Sequence, residues 1–386
     1  MTPDYAIAPC ATPAFETPLR LGQHNLPAWD RYEAAMRGIF ERRYYTNQGP
    51  LTRDFEARLQ AFLNVRHVVC VTNATIGLMM ASEALGVSGR ALVPGMVNPA
   101  LEHALAWCGV EAVFYDVEAG TAQPDLAQLE AVAAREPFDA IVGANLWGGA
   151  CDRGALELFA ASRGVPLLFD SLQAFGSVAA GQRVGSRGPI EVLSFDAVDM
   201  LNAAGGACVT TNDDELAARL RNIRSSYGAG RPVSVVKTSN GRMSEAQAAL
   251  GLLSLEDFER NQARNQAIFE IYRASLNGTA GLRVVEPARV EVSNHQSLVC
   301  AVDESTAGIS RDALVAHLAS HNVDARPVRA AQGLLAVSAL PASAAIAASW
   351  MLLPIGAHVS ERAALAVCDL IGQAQFASPR MQGAVA

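Results

Sequence analysis

Short runs of β-branched and apolar residues alternate with Ala- and Leu-rich stretches through the first two thirds of the chain, the signature of a parallel sheet with crossover helices. The apolar runs predict strands at His67–Val71, Arg90–Pro94, Glu111–Tyr115, Ala140–Asn145, Pro166–Asp170, Glu191–Phe195 and Ala207–Thr210. Between them, apolar residues recurring every three or four positions predict helices such as Ile76–Leu85 and Leu126–Arg135. A helical stretch from Asp213 to Arg224 leads through a Gly-rich loop, Tyr227–Gly230, into Ser244–Ser275, which reads as one long broken helix. From Gly281 the pattern changes to strands at Gly281–Val285 and Ser297–Val302, a helix at Arg311–His321 and a closing helix near Glu361–Gln373. The organisation expected is an N-terminal arm and helix over residues 1–46, a large domain over 47–275, a small α+β domain over 276–376 and a tail over 377–386, small and polar enough to be disordered. No repeat or low-complexity segment interrupts it.

Composition narrows the class. With 386 residues and 51% hydrophobic content the chain can bury a large core. A formal charge of -8 disfavours nucleic acid and anionic membrane as partners and leaves a small molecule as the expected ligand. The most apolar stretch, Gly333–Gly356, is broken by Pro341 and Pro354 and reads as buried helix and strand rather than a membrane span. Seven cysteines stand singly, without zinc or disulfide spacing, and the N-terminus lacks a basic then apolar leader, so a reducing, cytoplasmic setting is expected. Cys70 and Cys208 read as inert core thiols, and His103 with Trp107 as a packed helix face; His67, His317 and His321 lack metal-ligand spacing. One lysine, Lys237, stands among 30 Lys and Arg residues.

Several motifs follow one another in order: Asn47-Gln48-Gly49-Pro50-Leu51-Thr52, Phe55-Glu56, Asn73-Ala74-Thr75, Phe169-Asp170-Ser171-Leu172-Gln173-Ala174-Phe175-Gly176, Ser194-Phe195 and Asn240-Gly241-Arg242-Met243-Ser244-Glu245. Together they resemble the DegT/DnrJ/EryC1/StrS family, whose members are mainly pyridoxal-phosphate-dependent aminotransferases of fold type I acting on nucleotide-linked keto sugars. Some members are dehydratases using pyridoxamine phosphate. The resemblance implies an α/β large domain with a mostly parallel seven-stranded sheet, a small C-terminal α+β domain, and a homodimer with active sites at the subunit interface.

What the residues offer fits part of that chemistry. Asn73-Ala74-Thr75 follows a strand and opens a helix, so main-chain N–H groups, the helix dipole and the Thr75 hydroxyl suit a phosphate, although the tripeptide alone reads as an ordinary N-cap. Ser194 resembles the family's second phosphate ligand, and Asn240 one that the neighbouring subunit offers. Asp170 resembles the carboxylate that protonates the pyridine nitrogen, with Gln173 supporting the ring; a simple helix cap is the plainer alternative. Arg224, Tyr227 and Arg242 resemble a loop that approaches the substrate, and are candidates for anion contact.

The other half departs from the pattern. Where the family reads Ser-Phe-His-Ala-Thr-Lys, this chain has Ser194-Phe195-Asp196-Ala197-Val198-Asp199, and one residue is missing before Gly205-Gly206. Asp199 therefore stands at the position of the Schiff-base lysine, and a carboxylate can neither form an imine nor shuttle the proton of transamination. Where the family places an aromatic over one ring face, this chain has Asn98, a loss worth about 0.5 to 1.5 kcal/mol of stacking. In the small domain, Ala325-Arg326-Pro327-Val328-Arg329 replaces the family's Arg-Tyr or His-Tyr pair.

Three accounts stay open. The pocket holds pyridoxamine phosphate or pyridoxal phosphate without a covalent bond, with Asp199 as general base or as partner of the cofactor's ammonium. Alternatively no cofactor is present, and the phosphate cradle takes a phosphorylated, nucleotide or acyl-carrier substrate with Asp170 and Asp199 as acid and base; presence and absence of the cofactor are equal alternatives. In the third, the chain is a pseudoenzyme paired with an active homologue, lending loops such as 226–241 across the interface. Lys237, three residues before Asn240, reads as a solvated loop lysine rather than a replacement amine.

Overall fold

The computed structural model describes residues 12–225, 230–235, 237–331 and 340–377. Strands β1 (His67–Val71), β2 (Arg90–Pro94), β3 (Glu111–Tyr115), β4 (Ala140–Ala144), β5 (Leu167–Asp170), β8 (Glu191–Phe195) and β9 (Gly206–Thr211) form one seven-stranded sheet in the order β1-β9-β8-β5-β4-β2-β3. β8, β5, β4, β2 and β3 are mutually parallel, and β9 runs antiparallel to both its neighbours, so the sheet is mostly parallel. The strands predicted from apolar runs are all present, because a strand covered on both faces reads as a continuous hydrophobic segment. Between β5 and β8 a two-stranded hairpin, β6 (Val178–Ala179) and β7 (Gln182–Arg183), is too short to leave a periodic signal.

Helices α1 (Trp29–Arg42), α2 (Pro50–Leu63), α3 (Ala74–Leu85), α4 (Pro99–Trp107), α5 (Leu126–Ala133), α6 (Arg153–Arg163) and α7 (Asp214–Arg224) accompany this sheet. Most start on a side-chain cap: Asn73, Asn98, Asp125, Asp152 and Asp213 each accept from first-turn N–H groups. His103 and Trp107 do not form the packed face expected of them. Both are exposed on α4, Trp107 at 77%, since Leu101, Ala104 and Leu105 supply the buried stripe.

The expected long helix is two, α8 (Glu245–Glu256) and α9 (Phe258–Leu276), broken at Asp257, which ends one and opens the other. Its first half starts at a Ser244/Gln247 capping box. Ile268, Phe269, Tyr272 and Leu276 of α9 pack into a second core built on the antiparallel sheet β10-β11-β13-β12. That sheet comprises β10 (Leu282–Val284), β11 (Leu298–Val302), β12 (Arg326–Pro327) and β13 (Trp350–Leu353), joined by α10 (Glu304–Ala307), α11 (Arg311–Ser320) and α12 (Pro341–Ser349) and closed by α13 (Glu361–Ala377). The apolar segment 333–356 is helix and strand over 341–353, its first part lying outside the described residues, as does the tail after residue 377. Among the described residues no helix is long and apolar enough to cross a membrane. Cys70 and Cys208 face each other across β1 and β9, fully buried and free, their thiols pushed well up by burial.

A strap ahead of α1 ties the two cores together. Leu19 N–H donates to Asn322 O and Asp324 N–H to Leu19 O, which holds the strap to the small domain. Gln23 N–H donates to Val198 O, and Asn25 Nδ2 to Met200 O, which holds it to the large one. Gly22 meets Val198 so closely, at φ +93°, that a side chain there has no room.

Candidate active site

Ligand clefts in sheets of this kind form beyond the carboxyl ends of the parallel strands, and here β5 ends on Asp170 and β8 on Phe195. A cavity of about 660 Å³ opens at that edge, between the large-domain loops, the strap and the small sheet. Asn73, Ala74, Thr75, Gln173, Ser194, Asp199 and Asn98 all line it, so the structure gathers most of the predicted site residues in one place.

At one end is the start of α3. Asn73 Oδ1 accepts from Ile76 N–H at 2.9 Å, which commits that oxygen to capping. Ala74 and Thr75 supply the first-turn N–H groups and a hydroxyl beside the cavity, the arrangement that suits a phosphate dianion.

Asp170 sits directly behind Leu172 and Asn98. Its Oδ1 accepts from Leu172 N–H at 3.2 Å, the Asn98 N–H also faces the carboxylate, and Oδ2 has no hydrogen-bonding partner among the described residues. The residue is 2% exposed, and burial pushes its carboxyl from the ordinary 3.8 up to about 7 against the pull of those two N–H groups. A buried carboxylate oxygen without a partner is costly unless a ligand donor completes it. Gln173 lines the cavity, with Oε1 accepting from Trp147 N–H at 3.2 Å.

Asp199 is 6% exposed, and burial likewise pushes its carboxyl up to about 7. Asp196 N–H donates to Oδ2 at 2.8 Å, Gln296 Nε2 to Oδ1 at 2.8 Å, and the Ser194 hydroxyl also bonds it. These donors pull in the direction opposite to burial.

Other expected residues are placed elsewhere or are spent on local structure. Arg224 does not reach the cavity: its guanidinium is buried under α7, paired with Glu56 Oε1 at 2.6 Å and donating to Cys70 O at 2.9 Å. Expected as a substrate contact, it is a core ion pair, because the last turn of α7 packs on β1. Asn98 lines the cavity but spends its Oδ1 on Ala100 N–H at 3.0 Å, capping α4. Asn240 accepts from Arg242 Nε at 3.0 Å on a strand-like edge beside Val71 and Ser225, outside this cavity. Tyr227 lies outside the described residues. Lys237 is 61% exposed and pairs with Glu83 of α3 at 3.3 Å, away from the cavity lining.

Sequence reading missed Gln296, Arg20, His24 and Asp324, all at the cavity, where Asp324 pairs with Arg326 of the small-domain segment 325–329. The one available signal was the polar run Ser293-Asn294-His295-Gln296-Ser297 immediately before an apolar strand. The strap carried none, since nothing in its composition tells where it docks.

Tested against a pyridoxal-type cofactor, the residues present fit such a group. A helix start offers the phosphate site, and the orphaned Asp170 Oδ2 offers an acceptor for a pyridine nitrogen. Fold and cavity thus define an aminotransferase-like α/β protein. Residues 30–372 match the model of the DegT/DnrJ/EryC1/StrS aminotransferase family, and the chain belongs to that family. It is 28% identical over 312 residues, 81% of this chain and 84% of the relative, to the dTDP-4-amino-4,6-dideoxy-D-glucose transaminase of Shigella dysenteriae. GDP-perosamine synthase of Caulobacter vibrioides is 27% identical over 294 residues, 74% of this chain and 78% of the relative. Among solved structures, that of DesI in the presence of its TDP-sugar product superposes with a TM-score of 0.89 at 33% identity, covering 97% of this chain and 96% of that one.

Proposed function

We propose that this chain is a biosynthetic enzyme derived from sugar aminotransferases that works without a lysine tether. It holds pyridoxamine phosphate or pyridoxal phosphate non-covalently. The observation that carries the reading is the buried Asp170 Oδ2 without a partner, behind the Asn98, Leu172 and Gln173 lining of a cavity that also takes in a phosphate-type helix start and whose lining contains no lysine among the described residues. Ala74 and Thr75 with Ser194 would hold the phosphate, Asp170 the ring nitrogen, and Gln173 one side of the ring. When bound, such a cofactor supplies an electron sink for carbanion chemistry at the substrate. Asp199 stands where the family resemblance puts the lysine, and serves as general base or as partner of an ammonium group. An anion at that place favours the amine form of the cofactor over the aldehyde. The relatives' nucleotide-linked amino sugars support a related small molecule as substrate, bound by a homodimer.

A second reading has its own support. Asp170 and Asp199, both buried and both pushed up to about 7, also form an acid and base pair for a cofactor-free reaction. Purified protein distinguishes the two. An absorbance band of bound pyridoxamine phosphate, or saturable binding of it, is expected, and its absence for both cofactor forms would favour the cofactor-free reading. Asp199→Lys is the complementary test. With pyridoxal phosphate the new amine should give a visible absorbance band and borohydride-stable labelling, and an unlabelled variant would mean that the cradle does not receive the cofactor.

A further inference from the structure

We propose that Gln296 is a positioning residue that holds Asp199 as a preformed anionic receptor for a protonated primary amine in the cavity. The inference rests on this cavity being the ligand site, as proposed above. Gln296 is itself buried and is fixed on every side. Its Oε1 accepts from Met200 N–H at 3.0 Å, so its amide cannot turn over without setting NH2 against N–H, and Nε2 must donate to Asp199 Oδ1. Its own N–H donates to Asn294 Oδ1 at 2.9 Å, and its carbonyl accepts from Gln23 Nε2 at 2.6 Å. Gln23 is fully buried and accepts in turn from Asn265 Nδ2 at 2.7 Å. One residue, through its side chain and its main-chain carbonyl, thereby links the small domain, the strap and the turn that carries Asp199.

The consequence for Asp199 is chemical. Oδ1 accepts from Gln296 and Oδ2 from Asp196 N–H, so the carboxyl keeps its present partners best when ionised. A buried, ionised carboxylate with both oxygens oriented is completed by a cation, and a ligand's ammonium group, on cofactor or substrate, supplies one with up to three donors. The charged and titratable groups sharing the cavity are Arg20, His24, Asp196, Asp324 and Arg326. Arg326 is bound bidentately to Asp324, and Asp196 opposes ionisation of Asp199.

The test is a titration of Asp199 in ligand-free protein labelled with 13C at aspartate carboxyls, its signal assigned by loss in Asp199→Asn. Gln296→Met removes the donor, and should move the Asp199 midpoint upward by about one pH unit, from a charge-assisted hydrogen bond worth about 1.5 kcal/mol. Gln296→Glu sets a second carboxylate there and should move it further. Binding of pyridoxamine phosphate, followed by tryptophan fluorescence from pH 5 to 9, should weaken roughly fivefold at pH 7 and roughly tenfold by pH 6 in Gln296→Met, and converge with the wild type at high pH. An unmoved Asp199 midpoint in both variants overturns the inference, and so does a loss of affinity equal at every pH, which marks a purely structural role. If the midpoint moves but no pyridoxamine phosphate binds to wild-type protein, the cofactor reading fails while the positioning role stands.

Discussion

Asp170→Asn separates the cost of burying a carboxylate from its use. The Asp170 carboxyl titrates near 7 in the folded chain and at the ordinary 3.8 when unfolded, because burial strips its hydration and only two main-chain N–H groups replace it. The folded-state value is the higher one, so the folded protein retains a proton that the unfolded chain releases. This contribution to stability is complete below about pH 4 and drains away as pH rises to about 7. The whole interval corresponds to roughly 4 kcal/mol, of which roughly 2 to 3 kcal/mol falls between pH 5 and 8. Asparagine has the same shape and no charge, but sets an NH2 where Oδ2 has no partner, at about 1 to 3 kcal/mol independent of pH. Asp199 has the same sign of dependence; half-buried His295, held down to about 4 by desolvation, has the opposite sign, losing stability as pH falls below about 6.5. Both are present in either protein and cancel in the comparison. Urea unfolding of ligand-free wild type and Asp170→Asn, followed by tryptophan fluorescence at pH 5, 6, 7 and 8, should show the variant gaining roughly 2 to 3 kcal/mol on the wild type across the range. Parallel stability profiles would refute the reasoning, since they would mean that Asp170 ionises normally and its surroundings are not dry.

Two further substitutions probe residues whose roles the structure redefines. Arg224→Met leaves Glu56 largely buried without its cation and should cost about 3 kcal/mol in urea unfolding, while the folded variant binds pyridoxamine phosphate as the wild type does; a large loss of affinity with unchanged stability would restore Arg224 to the site. Asn98→Phe removes the α4 cap, lowering stability by about 1 kcal/mol, and sets a ring beside the cavity. Its affinity for pyridoxamine phosphate in a fluorescence titration should rise several-fold, from stacking of about 0.5 to 1.5 kcal/mol, and an unchanged or weaker affinity would show that position 98 does not face the ring.

Much of the fold is legible in the order of residues, since its strands are local. Each of the seven large-sheet strands is a run of consecutive apolar residues bounded by caps and turns, and a strand buried on both faces needs no partner to announce itself. The same locality made Ala74-Thr75, Asp170 and Ser194 recognisable, because the motif sits where one strand ends or one helix begins. The second sheet was half seen: β12 is two residues long, and β13 follows α12 without a polar break. Arg224 shows the limit of motif reasoning, for a basic residue at the end of a helix reads alike whether it meets a substrate or Glu56, 168 positions earlier in the chain. The polar run 293–297 marks Gln296 in the sequence only as one of several polar residues before a strand and gives it no role. Its meaning lies in Asp199 and Met200, nearly a hundred residues before it, and in Gln23, 273 positions away. Sequence by itself thus determined the elements, the family and the absence of any lysine but Lys237, all properties of residues near one another in the chain. The tertiary structure alone decided which polar groups share a cavity and which of them are buried, because burial and the hydrogen bonds that offset it arise only when distant segments close together.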